Sequence, residues 1–247
     1  MPRQARIKSE SGIYHIMLRG INQQQIFEDE EDNLKFLSIL SDYKLISEYE
    51  LYAYCIMGNH VHILLKEGNE ELSQIMKRIG GKYVYWYNSK YKRVGHLFQD
   101  RFKSEPVNDE KYLMTVLRYI HQNPTKAKLA KKNEDYKFSS YNEYINGSVI
   151  TNTEFVLGMT DIENFKVFHH QNSDDKCLDI TEKIYRVTDE EAKRIILKLT
   201  KCENVSEFQS LETEKRNKLL NKLKEKGLSI RQINRLTGIS KRIIERT

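Results

Sequence analysis

Residues 50–66, "ELYAYCIMGNHVHILLK", constrain the fold more than any other stretch of this chain. Two apolar runs rich in β-branched and aromatic residues flank Gly58-Asn59, a turn pair. The segment therefore predicts an antiparallel hairpin, with strands at "ELYAYCIM" and "HVHILLK". Strand side chains alternate faces, so His60, His62 and Leu64 share one side. Val61, Ile63 and Leu65 share the other and can pack under helices. Two imidazoles at i and i+2 on one face can converge on a single divalent cation. They can equally pack or hydrogen-bond on a half-buried sheet, and two histidines alone do not choose between these readings.

The surrounding sequence supplies partners for the hairpin. "GIYHIMLRG" (Gly12 to Gly20) predicts a first strand, and Asp32 to Ser47 carries leucines and isoleucines at helical spacing. Glu70 to Lys90 predicts a long helix that the Gly80-Gly81 pair can bend. "HLFQDRFKSEPV" predicts a further strand, stopped by Pro106. Asp109 to Asn123 predicts a helix with acidic residues in its first turn and Pro124 after its end. The order strand, helix, strand, strand, helix, strand, helix is that of an α+β ferredoxin-like or RRM-like antiparallel sheet with one extra helix. Such a sheet carries helices on one face and leaves the other for a site.

After Asn146-Gly147 the pattern changes. The expected organisation is a first domain over residues 1–147, a connecting region over 148–180, and a small all-α domain over 181–247. The last part, about 217–247, has a helix-turn-helix look. Leu219, Leu220 and Leu223 repeat helically, Gly227 stops that helix, and Ser229 with Gln232 forms an S-x-x-Q capping box. Ser240 then caps "KRIIERT", placing Lys241 and Arg242 at the start of a recognition helix. The alternative is a helical bundle used for packing or dimerisation.

Composition narrows the partners. Lys and Arg outnumber Asp and Glu by 41 to 35, a formal charge of +6, which favours a polyanionic partner without establishing one. The three cysteines are far apart and form no CxxC pair, which argues against a zinc-thiolate site or a disulfide framework and fits a reduced, cytoplasmic setting. No apolar run approaches the roughly 18 residues of a membrane span.

Two further stretches carry chemistry. In "RYIHQNP", Tyr119 and Asn123 are four residues apart and share a helical face. A tyrosine can act as a covalent nucleophile, and an asparagine carbonyl can ligate a hard cation. With 15 tyrosines in the chain, and Asn before Pro an ordinary helix end, these residues alone decide nothing. "KRIGGKYVYWYNSKYKR" mixes Lys77, Arg78, Lys82 and Lys90 with five aromatics. Basic groups can hold phosphates and aromatics can stack on unpaired bases, but Val84, Trp86 and Tyr87 suit the core better, which leaves the lysines as the DNA candidates. Arg101 and Lys103 in "DRFKS" can share a strand face beside a phosphate, or pair with Asp100 and Glu105.

Together these stretches resemble the single-tyrosine HUH transposases, IS200-like, and most nearly the REP-associated tyrosine transposases. "GIYHIMLRG", "IFEDEEDNLKFLSIL", "AYCIMGNHVHILL", "HLFQDRFKS", "YLMTVLRYIHQNPTKAKL" and "DYKFSSYNEYING" follow one another in the family's order over roughly the first 145 residues. The resemblance implies that His60 and His62 bind a divalent metal, Mg or Mn, with Val61 the bulky apolar residue between them. It implies that Tyr119 attacks a DNA phosphate and that Asn123, where relatives often carry Gln, completes the metal site. The partner implied is single-stranded or hairpin DNA, with duplex DNA at the C-terminal domain. Arg3 and Arg6 on an N-terminal arm would help read the sequence beside the hairpin. Relatives act either as homodimers that exchange catalytic helices or as monomers. The rival readings are an RRM-like RNA-binding protein with structural histidines, and a helix-turn-helix regulator.

Overall fold

The structure is a computed structural model that describes residues 6–171, 175, 177–178, 189–202 and 205–247. Arg3 lies outside them. The chain divides into two compact units, Met1–Asp179 and Ile180–Thr247.

The first unit is built on four strands, β1 (Ile13–Arg19), β2 (Glu50–Met57), β3 (His60–Lys66) and β4 (Lys103–Pro106). They form one antiparallel sheet in the order β2-β3-β1-β4. Helices α1 (Glu30–Ser47) and α2 (Leu72–Lys90) cover one face. Ile16, Leu18, Val61 and Ile63 of the sheet are buried there with Phe36, Ile39, Ile75, Ile79 and Tyr83 of the helices. The expected ferredoxin-like sheet with two helices on one face is thus observed. Helix α3 (Glu110–Lys126) adds a layer on the opposite face, where Leu113, Val116, Leu117 and Ile120 are buried with Ile13, Ala53, Cys55 and Leu64.

The hairpin of β2 and β3 has the limits its turn pair predicts, and local packing explains why. The Gly58 carbonyl accepts hydrogen bonds from the backbone N–H groups of Ile26 and Phe27. Gly20 donates its N–H to Asn59 O, and a Cβ there would come within 2.3 Å of the Gln24 carbonyl oxygen. A glycine at position 20 thus lets the 20–26 loop fold tightly back on itself beside the hairpin turn.

Three elements differ from their sequence reading. Residues 96–102 are not a strand: only Phe98 forms an isolated bridge, to Gly20, and β4 begins at Lys103. β4 does end at Pro106, as its sequence suggests, and a proline is tolerated there because β4 is an edge strand. Pro124 lies inside the last turn of α3, where its missing N–H costs only the bond to the Ile120 carbonyl. The Gly80-Gly81 pair does not break α2, and Gly80 is buried facing Phe98.

Short helices α4 (Tyr141–Asn146), α5 (Glu154–Leu157) and α6 (Ile162–His170) follow in the same unit. Residues 148–171, expected as a connector, therefore contain α5 and α6, and Val156 and Phe165 are buried in the same cluster as α3. The chain around residues 138–152 also lies along the outer edge of β2. Ile56 N–H donates to Phe138 O, Ser140 N–H to Tyr54 O, and Leu51 N–H to Asn152 Oδ1.

The second unit contains α7 (Asp189–Thr200), α8 (Val205–Gln209), α9 (Thr213–Glu225), α10 (Ile230–Thr237) and α11 (Lys241–Arg246). Its own core includes Ala192, Ile196, Phe208, Leu220, Leu223, Ile233 and Ile244. The Ser229/Gln232 capping box is formed, and Gly238 closes α10 in the left-handed conformation at φ 69°. Ser240 holds the N-cap position of α11 without a side-chain capping bond.

Candidate active site

The strand register assembles the site. Met17, His62 and Cys55 lie side by side across β1, β3 and β2, with Lys103 of β4 next to Met17. One row along, Glu105, His15, Leu64 and Ala53 lie side by side, and Arg19, His60 and Met57 form the third row. Residues paired across strands share a face, so His15, His60, His62, Lys103 and Glu105 all belong to the face under α3.

Helix α3 brings Tyr119 to them. Tyr112, Tyr119 and Asn123 fall at i, i+7 and i+11, which keeps them on one stripe of the helix. The Tyr119 ring lies 5.6 Å from that of His62 and 5.7 Å from that of His15, edge-on to both. The His60 and His62 rings are 5.1 Å apart and nearly perpendicular. Tyr112, two turns earlier, donates its hydroxyl to Glu105 at 2.8 Å. Tyr119 is 4% exposed and Lys126 Nζ sits 5.5 Å from its ring centre.

Hydrogen bonds orient both histidines. His60 Nδ1 meets Asn59 Oδ1 at 2.7 Å. His62 Nδ1 meets His15 Nε2 at 3.0 Å, and His15 Nδ1 meets Glu105 Oε1 at 3.1 Å. His62 Nε2 is buried with no hydrogen-bond partner among the described residues. Desolvation, reinforced by His15 and His60, holds the His62 pKa well below its ordinary value, so the ring is neutral. Burial raises the Glu105 pKa, but hydrogen bonds from His15, the Leu178 N–H and Tyr112 outweigh it and keep the carboxyl below its ordinary range.

A buried, neutral imidazole nitrogen without a protein partner is what a divalent cation requires of a ligand, so the residues fit a metal. Among the described residues no three His, Cys, Asp or Glu side chains are grouped to hold an ion. Asn123 is one turn beyond Tyr119, and its Nδ2 donates to the Tyr119 carbonyl at 2.9 Å, a bond that does not use Oδ1. No hydrogen bond among the described residues links Asn123 to His60 or His62.

The basic residues fall into two groups. Lys82 of α2 and Lys103 of β4 are exposed, as is Arg101, which precedes β4 and so does not share a strand face with Lys103. Lys241 and Arg242 are exposed in the first turn of α11. Arg6 is not on a loose arm: its guanidinium stacks 3.8 Å over the Phe102 ring and donates to the Phe102 carbonyl. Lys90 is held by Asp29, Glu31 and Asp32 within 2.9 Å, and Arg78 by Glu70, so both serve the fold. Tyr83 and Tyr87 are buried, whereas Tyr85 is 77% exposed.

Sequence reasoning missed His15, Tyr112 and Glu105. The signal for His15 was its place on one strand face with Ile13 and Met17; no local pattern specifies the register that sets it beside Glu105.

Residues 8–123 match the family model described as "Transposase IS200 like". The match covers somewhat less than half of the chain, and over it the first unit is similar to IS200-like transposases. A solved structure described as "Structure of the REP associates tyrosine transposase bound to a REP hairpin" is similar in fold, with TM-score 0.54 and 16% identity, covering 74% of this chain and 99% of that one. A second, a putative transposase from Deinococcus radiodurans R1, is 20% identical over 49% of this chain and 97% of that one, with a TM-score of 0.35 too low to bear on the fold. No curated protein matches the sequence. Among the described residues no helix is long and apolar enough to cross a membrane.

Proposed function

We propose that this transposase cleaves and rejoins single-stranded or hairpin DNA through a covalent 5′-phosphotyrosine at Tyr119. The observation that carries the reading is the Tyr119 ring 5.6 Å from His62, two residues on different elements that lie 57 positions apart in the sequence. His60, His62 and Asn123 would hold Mg or Mn. Such a cation neutralises the scissile phosphate and orients it.

The Tyr119 oxygen forms a bond to phosphorus while the bond to the 3′ oxygen breaks. The phenolic proton leaves, and the departing oxygen takes up a proton to become a free 3′-OH. The phosphotyrosine conserves the energy of the broken ester, so a second DNA end can reverse the step without ATP. Tyr119 is 4% exposed, so a phosphate reaches it only after its side chain swings outward or the residues above it part. In this reading Tyr119 and both histidines act from one chain, without an exchanged helix.

Lys82, Arg101, Lys103 and Arg6 suit the strand's phosphates. Lys241 and Arg242 of the second unit suit duplex DNA. An RRM-like RNA-binding role is disfavoured by α3, which covers the sheet face that would have to display aromatics; Tyr52 is 1% exposed.

Incubation with hairpin oligonucleotides and Mn or Mg tests the reading. The expected product is a covalent protein–DNA adduct that Tyr119→Phe abolishes. Tight binding with no adduct across varied hairpins would overturn it.

A further inference from the structure

Among the described residues two pairs of buried histidines share a hydrogen bond, and they end differently. In the first, His121 Nδ1 lies 3.0 Å from His169 Nε2, and His169 Nδ1 lies 2.9 Å from the Phe165 carbonyl. A carbonyl only accepts, so the His169 proton is on Nδ1 and its Nε2 accepts from His121. His121 Nε2 then accepts from the Ser140 hydroxyl at 2.8 Å. Every ring nitrogen of this pair has a partner inside the protein. The network joins α3 to α4 and α6, and its purpose is exhausted by packing.

The second pair has the same start and another end. Glu105 is a carboxylate and only accepts, so His15 carries its proton on Nδ1. With that proton on Nδ1, His15 can offer Nε2 as an acceptor, and the proton between the two rings is then that of His62 Nδ1. His62 Nε2 is therefore bare. The opposite assignment would put an N–H on that nitrogen, which is buried without an acceptor among the described residues. An unmet buried donor is costly, and the relay avoids it.

We infer that His15 and Glu105 are positioning residues: the Glu105–His15–His62 relay fixes the tautomer of His62 so that its Nε2 lone pair faces the metal position. The inference rests on the proposed metal role of His62. Carboxylate-anchored imidazoles behind a ligand typically change metal affinity 10- to 100-fold when removed, an order-of-magnitude range. Tyr112 adds a second donor to Glu105 at 2.8 Å, so helix α3 both carries the nucleophile and steadies the far end of the relay.

Two measurements on the full chain test this. Nitrogen-15 NMR of the metal-free protein reads the His62 tautomer directly. The expected result is a protonated Nδ1 and a bare Nε2 in the wild type and in Glu105→Gln, whose amide oxygen can still accept, but not in His15→Phe. Calorimetric titration with MnCl2 alone should show affinity weakened at least about tenfold in His15→Phe, and largely kept in Glu105→Gln. His169→Gln, which damages the other pair, serves as a control and should leave Mn affinity unchanged. A wild-type His62 protonated on Nε2, or unchanged Mn affinity in a folded His15→Phe, would overturn the relay. A wild type that binds no Mn at all would overturn the metal site itself, together with the relay's purpose.

Discussion

At the scale of single residues, the structure separates histidines by their last partner. His121 and His169 are held neutral: burial lowers both pKa values, that of His169 to about 3. An unfolded histidine takes up its proton near pH ~6.5, whereas the folded one does not. The unfolded state then binds more protons, so the stability this group contributes is present above about pH 6.5 and is lost as pH falls below it, by about 1.4 kcal/mol per pH unit. Chemical denaturation of wild type and His169→Gln should show the variant less stable at pH 7.5, with the gap closing toward pH 4.5, these two pH values being approximate choices on either side of the unfolded pKa. A gap that widens on acidification would contradict the neutral assignment. His60, His62 and Tyr119 were legible as candidates because their spacing within an element carries meaning. Glu105 was not, because it joins His15 through strand register, and register depends on pairings that no local pattern specifies.

At the scale of elements, glycine contacts decide how firmly the loops near His60 are set. At Gly20 an added Cβ would strike the Gln24 carbonyl oxygen at 2.3 Å and Ile26 Cγ2 at 2.8 Å. At Gly58 it would strike Gln25 Oε1 at 2.1 Å, the end of a flexible side chain. Gly20→Ala should therefore destabilise by roughly 1–3 kcal/mol in denaturant titration, and Gly58→Ala by clearly less. Equal losses would mean that Gln25 cannot move. The hairpin and both sheet helices were legible because turn residues and periodicity coincide there. "HLFQDRF" was misleading: it has strand composition, but only Phe98 of its residues finds a pairing, and the segment serves to return the chain from α2 to the sheet edge.

At the scale of the whole molecule, each unit has its own buried core. Assigning single-strand chemistry to the first and duplex docking to the second predicts separable losses. Lys241→Ala with Arg242→Ala should weaken duplex binding and flatten the plot of log Kobs against log salt by about 0.9 per phosphate contact removed. Covalent adduct formation on a short hairpin should be unchanged. An unchanged salt slope would remove α11 from the DNA interface.

The segment along β2 has a practical consequence. The family match ends at residue 123, yet the outer hydrogen-bonding groups of β2 at Leu51, Tyr54 and Ile56 are met by residues 138–152. A fragment cut at the end of the match would expose an apolar strand with a ladder of unsatisfied groups, a template for strand addition by another molecule. Such a fragment should self-associate in light scattering, whereas one ending at residue 179 should stay monodisperse. For this chain, the segment that the family match delimits and the segment expected to stay soluble end at different residues.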